Sequence, residues 1–107
     1  MRIYISGPIS GTNDAGPRFA EAEARLRMEY GAKTINPVRV AAALPELKHD
    51  EYMIISFALM EVCDCMYQME GWRQSRGCNQ EAGYAYAKKI PILPPLENVD
   101  DIEMEEL

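Results

Sequence analysis

Between Asp64 and Glu81 the chain runs from a short apolar segment, Cys65-Met66-Tyr67-Gln68-Met69, into a loop punctuated by Gly71 and Gly77. That loop holds Trp72, Arg73, Ser75 and Arg76, and it delivers a carboxylate, Glu81, into the first turn of the helix that follows. The arrangement suits an anionic small molecule. Backbone donors at a helix start, helped by the Ser75 hydroxyl, can hold a phosphate, while Glu81 stands where it can act on whatever the phosphate is attached to.

The elements that must position these groups follow from punctuation and periodicity. Arg2 to Ser6 reads as a strand ended by the loop Gly7 to Pro17, and residues 18–30 read as an amphipathic helix stopped by Gly31. Ala32 to Asn36 is a second strand closed by Pro37, with a short helical turn over 38–43. A second helix spans Asp50 to about Val62, with Asp50 as its cap and Tyr52, Ile55, Leu59 and Val62 at helical spacing. Cys65 to Met69 is the third strand, a third helix runs from about Cys78 to Lys88, and Ile90 to Leu93 is a fourth strand.

Strands alternating with helices predict a flavodoxin-like or Rossmann-like three-layer α/β/α domain, with a parallel sheet of four to five strands. Ligands of such sheets collect beyond the carboxyl ends of the strands where strand order reverses, which in the flavodoxin-like order lies between the first and third strands. Those two strands carry the two glycine-bearing loops. Topology thus places residues 6–14 and 70–81 around one crevice, with Ser6, Gly7, Pro8, Ile9, Trp72, Ser75 and Gly77 as expected substrate contacts and Arg73 and Arg76 as further phosphate contacts.

Composition narrows the classes. The 107 residues form one domain over 1–96 followed by an acidic tail over 97–107, which holds six of the 17 acids and no base. The body is therefore neutral, with 11 acids against 11 bases, and lacks the excess of Lys and Arg that a nucleic-acid polymer demands. No apolar run approaches the roughly 20 residues that span a bilayer, and the opening residues form a strand rather than an export signal, so a cytoplasmic protein without membrane contact is expected. Cys63, Cys65 and Cys78 fit neither a disulfide framework nor a metal spacing and read as small hydrophobes. His49, the one histidine, sits in a polar stretch without a ligating partner and reads as solvated, so neither a metal nor a cofactor is expected.

Ile3-Tyr4-Ile5-Ser6-Gly7-Pro8-Ile9, followed by Asp64 to Tyr67, Gly71-Trp72, Ser75-Arg76-Gly77 and Glu81-Ala82-Gly83-Tyr84-Ala85, resembles the nucleoside 2-deoxyribosyltransferase superfamily over roughly residues 1–93, and within it the small bacterial and phage members. The resemblance implies that Glu81 is the nucleophile and that Tyr4 positions it. Where the transferases carry an aspartate near the sugar 5′-hydroxyl this chain has Ser75, as the nucleoside 5′-monophosphate N-glycosidases do. A serine there is complementary to a 5′-phosphate that an aspartate would repel. The chain departs from the active members of the superfamily it resembles at Ser56, where they carry a second acid that assists departure of the base.

The implied activity is binding of a nucleoside or nucleoside 5′-monophosphate and cleavage or exchange of its N-glycosidic bond. Its rivals are a nucleotide-binding module that senses or sequesters its ligand without turnover, and a purely structural domain. Taken alone, Glu81 is also an acid favoured by the helix dipole, Ser75 an N-cap, and Arg73 and Arg76 solvated loop cations. In the catalytic reading the same dipole keeps Glu81 ionised and ready to attack an anomeric carbon. Tyr67 and Trp72 are candidates to wall a base pocket, Met53, Met60, Met66 and Met69 fill the core, and Asp64 caps. A chain this short is expected to form a homodimer or higher homo-oligomer, with Tyr84 and Tyr86 against a partner subunit.

Overall fold

A computed structural model of the chain describes residues 1–44 and 46–96, so the acidic tail lies outside the described residues. Strand β1 (Arg2–Ser6) leads into α1 (Ala15–Tyr30), β2 (Lys33–Ile35), α2 (Pro37–Ala43), α3 (His49–Glu61) and β3 (Cys65–Gln68). A 3-10 turn over Trp72–Gln74 precedes α4 (Arg76–Lys88) and β4 (Ile92–Leu93). The four strands pair in the order β2-β1-β3-β4, all parallel, which is the expected three-layer α/β/α fold. No helix among the described residues is long and apolar enough to cross a membrane.

Residue alternation along β1 divides the core. Ile3 and Ile5 face α1, where they pack with Phe19, Ala22 and Leu26, while Tyr4 joins Met60, Met66 and Ala85 beneath α3 and α4. The crossover from β1 to β2 through α1 lies on one face. The chain then steps back across β1 to reach β3, which puts α3 and α4 on the other face, as right-handed connections require. Cys65 and Cys78 are buried and none of the three cysteines is bridged, and Met53, Met60, Met66 and Met69 are all buried, as the sequence suggests.

Several boundaries move, each for a local reason. The first helix begins at Ala15, before residue 18, because Pro17 in its first turn lacks only an N–H that no helix could use. It ends on Gly31 in the left-handed region at φ 61°, whose N–H bonds the Arg27 carbonyl. The third helix starts at Arg76, not Cys78, because the Ser75 hydroxyl accepts the Cys78 N–H at 3.2 Å and closes the first turn there. Helix α3 starts one residue before Asp50, with the Glu51 carboxylate reaching back to the Lys48 N–H at 2.9 Å. Asp50 faces Arg76 at 3.4 Å instead of capping. Strand β4 shortens to two residues.

A polar cluster fixes α1, β2 and α2 to one another. Glu23, 4% exposed, accepts from Thr34 Oγ1 at 2.7 Å, from Asn36 Nδ2 at 2.9 Å and from the Arg39 guanidinium at 2.9 Å. Asn36 in turn caps α2 by accepting the Val38 N–H at 3.0 Å. Burial acts to raise the Glu23 carboxyl, but the hydrogen bonds from Asn36 and Thr34 and the Arg39 charge outweigh it and hold the group below its ordinary value.

Replacing this carboxylate leaves the Asn36 amide and Thr34 hydroxyl without their acceptor. Glu23→Ala is expected to cost about 1 to 3 kcal/mol in chemical denaturation. Because the folded-state pKa of Glu23 is lowered, the wild-type advantage is complete above the ordinary carboxylate value and shrinks as pH falls through the lowered one. A gap between the two proteins that stays constant down to acid pH contradicts this account.

Candidate functional site

The carboxyl end of β1 meets the start of α4 at a buried carboxylate. Ser75 sets where α4 begins, and from that start Cys78, Glu81 and Ala85 fall on the stripe that faces the sheet. Glu81 therefore occupies an interior position in the second turn, and the first turn holds no acid. From the strand below, Tyr4 and Ser6 project to the same face and both donate to it: the Tyr4 hydroxyl to Oε2 at 2.5 Å and the Ser6 hydroxyl to Oε1 at 2.7 Å. Glu81 is 6% exposed, and Tyr4 and Ser6 are fully buried.

The electrostatics differ from the sequence expectation. Burial pushes the Glu81 carboxyl above the ordinary carboxylate range, and the hydrogen bonds from Tyr4 and Ser6 oppose that rise without cancelling it. A carboxylate kept ionised by the helix dipole is thus not what the position provides, since the dipole effect is confined to the first turn. The Tyr4 phenol is driven far up by burial and then by the neighbouring Glu81 charge. The proton between the two oxygens accordingly belongs to Tyr4. Ser56 on α3 stands near the Tyr4 hydroxyl and acts against that rise.

Glu81 and Tyr4 open onto a cavity of about 450 Å³. Gly7, Ile9 and Ser10 border it from the loop after β1, and Ser75, Arg76 and Gly77 from the start of α4. These are the two loops that topology places at the strand-order reversal, and they do meet. Gly7 owes its identity to packing, because a Cβ there would lie 2.5 Å from Met69 Sδ and 3.0 Å from the Phe19 ring.

The remaining wall comes from elements the sequence does not single out. Pro37, Val40 and Ala41 of α2 and Tyr52, Ile55 and Leu59 of α3 close the cavity with apolar surface. The Tyr52 ring is fixed by a hydrogen bond from its hydroxyl to the Leu44 carbonyl. Ser56 stands in the same wall, and so does His49, whose ring lies against Gly77 and whose Nε2 meets Gln80 Oε1 at 2.8 Å. His49 is therefore a half-buried residue at the border of the cavity. Its single copy in a polar stretch offers no signal of this; only the packing of α3 on α4 does.

Other expected contacts fall elsewhere. Ser6 lies beneath the cavity and donates to Glu81, and the Pro8 carbonyl accepts from Arg18 at 2.7 Å. Trp72 and Arg73 sit in the 3-10 turn with the guanidinium 5.3 Å from the indole ring centre, and neither borders the cavity. Tyr67 belongs to the α1 face of the core, where its oxygen accepts the Leu96 N–H at 3.1 Å. Asp64 accepts the Arg2 N–H at 2.7 Å. Tyr84 stacks on Phe57 within the chain, ring centres 4.4 Å apart, whereas Tyr86 is exposed. Among the described residues no three His, Cys, Asp or Glu side chains converge as a metal site.

A carboxyl raised by burial is a stability cost at neutral pH. The folded-state pKa of Glu81 lies above its unfolded value, so its contribution is complete below the unfolded value and is lost as pH rises through the folded one. Glu81→Gln removes the titration while keeping the shape. The variant is expected to melt above the wild type near about pH 8, with the difference vanishing below about pH 4. A variant that melts below the wild type near about pH 8 means that the ionised carboxylate contributes to the fold rather than straining it.

No curated protein and no solved structure matches the chain. The family model described as Domain of unknown function (DUF4406) matches residues 1–94, which takes in β1, the cavity, Glu81 and the sheet to its last strand. The chain therefore belongs to the DUF4406 family.

Proposed function

We propose that this protein binds a nucleoside or nucleoside 5′-monophosphate and cleaves or exchanges its N-glycosidic bond, with Glu81 as the nucleophile. One observation carries the reading: an interior carboxylate, held through both oxygens by Tyr4 and Ser6, opens onto a cavity at the strand-order reversal. A carboxylate buried only to support a helix would not need an opening beside it. Two hydroxyl donors restrict its rotation, which is the positioning a nucleophile requires.

The anionic end of the ligand fits the start of α4. There the N–H groups of the first turn lack helical acceptors, the Ser75 hydroxyl borders the cavity, and Arg76 brings positive charge to its edge. The sugar then lies over Glu81 and the base against the apolar wall of α2 and α3. In the first step a Glu81 oxygen bonds to the anomeric carbon while the C–N bond breaks and its electron pair leaves with the base. Water, or the nitrogen of a second base, then attacks the same carbon, and the ester bond returns its pair to Glu81. Hydrolysis and exchange differ only in that second nucleophile.

Ser56 in the cavity wall, where an acid would assist departure, favours the rival reading of a nucleotide-binding module without turnover. A panel of nucleosides and 5′-monophosphates, followed for free base and for thermal stabilisation, separates the two. Release of base that falls by orders of magnitude in Glu81→Gln, with affinity little changed, is expected of the enzyme. Stabilisation without release supports the binder. Ser75→Asp is expected to weaken monophosphates far more than nucleosides, and equal loss for both contradicts a phosphate at Ser75.

A further inference from the structure

Among the described residues that line the cavity, the nucleophile has no second carboxylic acid beside it, and this restricts what can leave from it. Among the described lining residues Glu81 is the only Asp or Glu. Acids close in sequence are engaged elsewhere: Asp50 faces Arg76, Glu51 holds the Lys48 N–H, and Glu61 takes the Tyr84 hydroxyl at 2.5 Å and Lys88 at 3.3 Å. Ser56 is an alcohol, and burial raises both the Tyr4 phenol and the Cys78 thiol, so neither gives up its proton readily. His49 has Nε2 on Gln80 and stands about two helical turns along α3 from Ser56, beside Gly77 in the first turn of α4.

A neutral purine or pyrimidine departs as an anion unless a proton reaches it while the C–N bond breaks, and a positioned acid contributes about 10²- to 10⁴-fold to such a step. A base that is already cationic, such as an N7-alkylated purine, accepts the electron pair of the bond and leaves neutral. It needs no proton. The same positive charge suits the cavity, because the hydrogen-bond partners of Glu81 are two neutral hydroxyls and a cation in the cavity offsets the cost of ionising a buried carboxyl. Tyr52 in the apolar wall adds an aromatic surface that attracts cations.

We infer that the site takes nucleosides or nucleotides whose base is already cationic, with N7-alkylated purines as the chemical class, and releases the neutral alkylated base. This rests on Glu81 as the nucleophile. The C–O ester bond forms as the C–N bond breaks, the pair of that bond neutralises the base, and water later returns the carboxylate and releases one proton to solvent.

The test compares 7-methylguanosine 5′-monophosphate with guanosine 5′-monophosphate, and the corresponding 2′-deoxy pair, by release of free base from the full chain against a Glu81→Gln control. The expected kcat/KM is about 100-fold or more higher for the methylated member of a pair. Ser56→Asp, which sets a carboxylic acid beside Tyr4, is expected to raise the rate on the unmethylated member and shrink that ratio at least about tenfold. Equal kcat/KM within a pair overturns the inference and leaves glycosidic cleavage standing. Release from no compound above the Glu81→Gln control overturns both. Should Ser56→Asp fail to fold, the wild-type ratio decides alone.

Discussion

Everything at the carboxyl end of the sheet is arranged around one carboxylate held in the interior by two hydroxyls. Tyr4 and Ser6 meet Glu81 because alternate residues of a strand share a face, and because Ser75 starts α4 where position 81 turns toward that strand. Shift either element by one residue and the carboxylate faces the solvent or the hydroxyls face α1. The parallel pairing of β1 with β3, from Ile3 opposite Cys65 to Ser6 opposite Gln68, fixes the register, and Gly7 packs closely on Met69 and Phe19 just beyond β1. Stability is thus tied to a group whose ionised form resists burial.

The second polar cluster supports the first from a distance. Glu23 ties α1 to β2 and, through Asn36 and Arg39, to α2, and α2 supplies part of the cavity wall. Its carboxyl is satisfied by two neutral donors and a cation and is pulled below the ordinary range, whereas Glu81 has two neutral donors and is pushed above it. At Glu23 the hydrogen bonds and then the Arg39 charge outweigh burial, whereas at Glu81 burial prevails. One buried glutamate acts as a structural tie, and the other lies beside an opening with its ionised form penalised by burial.

Much of this was legible in the sequence. The strand at Arg2–Ser6 is unambiguous, the alternation of strands and helices points to a parallel sheet, and the flavodoxin-like order it is expected to take joins the two glycine-bearing loops. Glu81 is marked by its place after the glycine-bearing loop and Tyr4 only by resemblance, and the hydrogen bond between them spans 77 positions that no local pattern connects. What was not legible depends on packing. Tyr52, Ile55 and Leu59 have the spacing of a core stripe, yet they line a cavity, because periodicity reports an apolar face and not what it faces. Trp72 and Arg73 have the composition of a binding loop, but the 3-10 turn carries them off the cavity and onto each other. His49 enters the site only through the contact of α3 with α4.

The most direct measurement of the central claim is a rapid acid quench of the protein turning over a nucleoside 5′-monophosphate, followed by intact-mass and peptide-mass analysis. The account predicts a transient increase in mass equal to the sugar phosphate without its base, located on the peptide that contains Glu81. Release of base with no such adduct at any quench time, or an adduct on another residue, would contradict a glutamate nucleophile at this position.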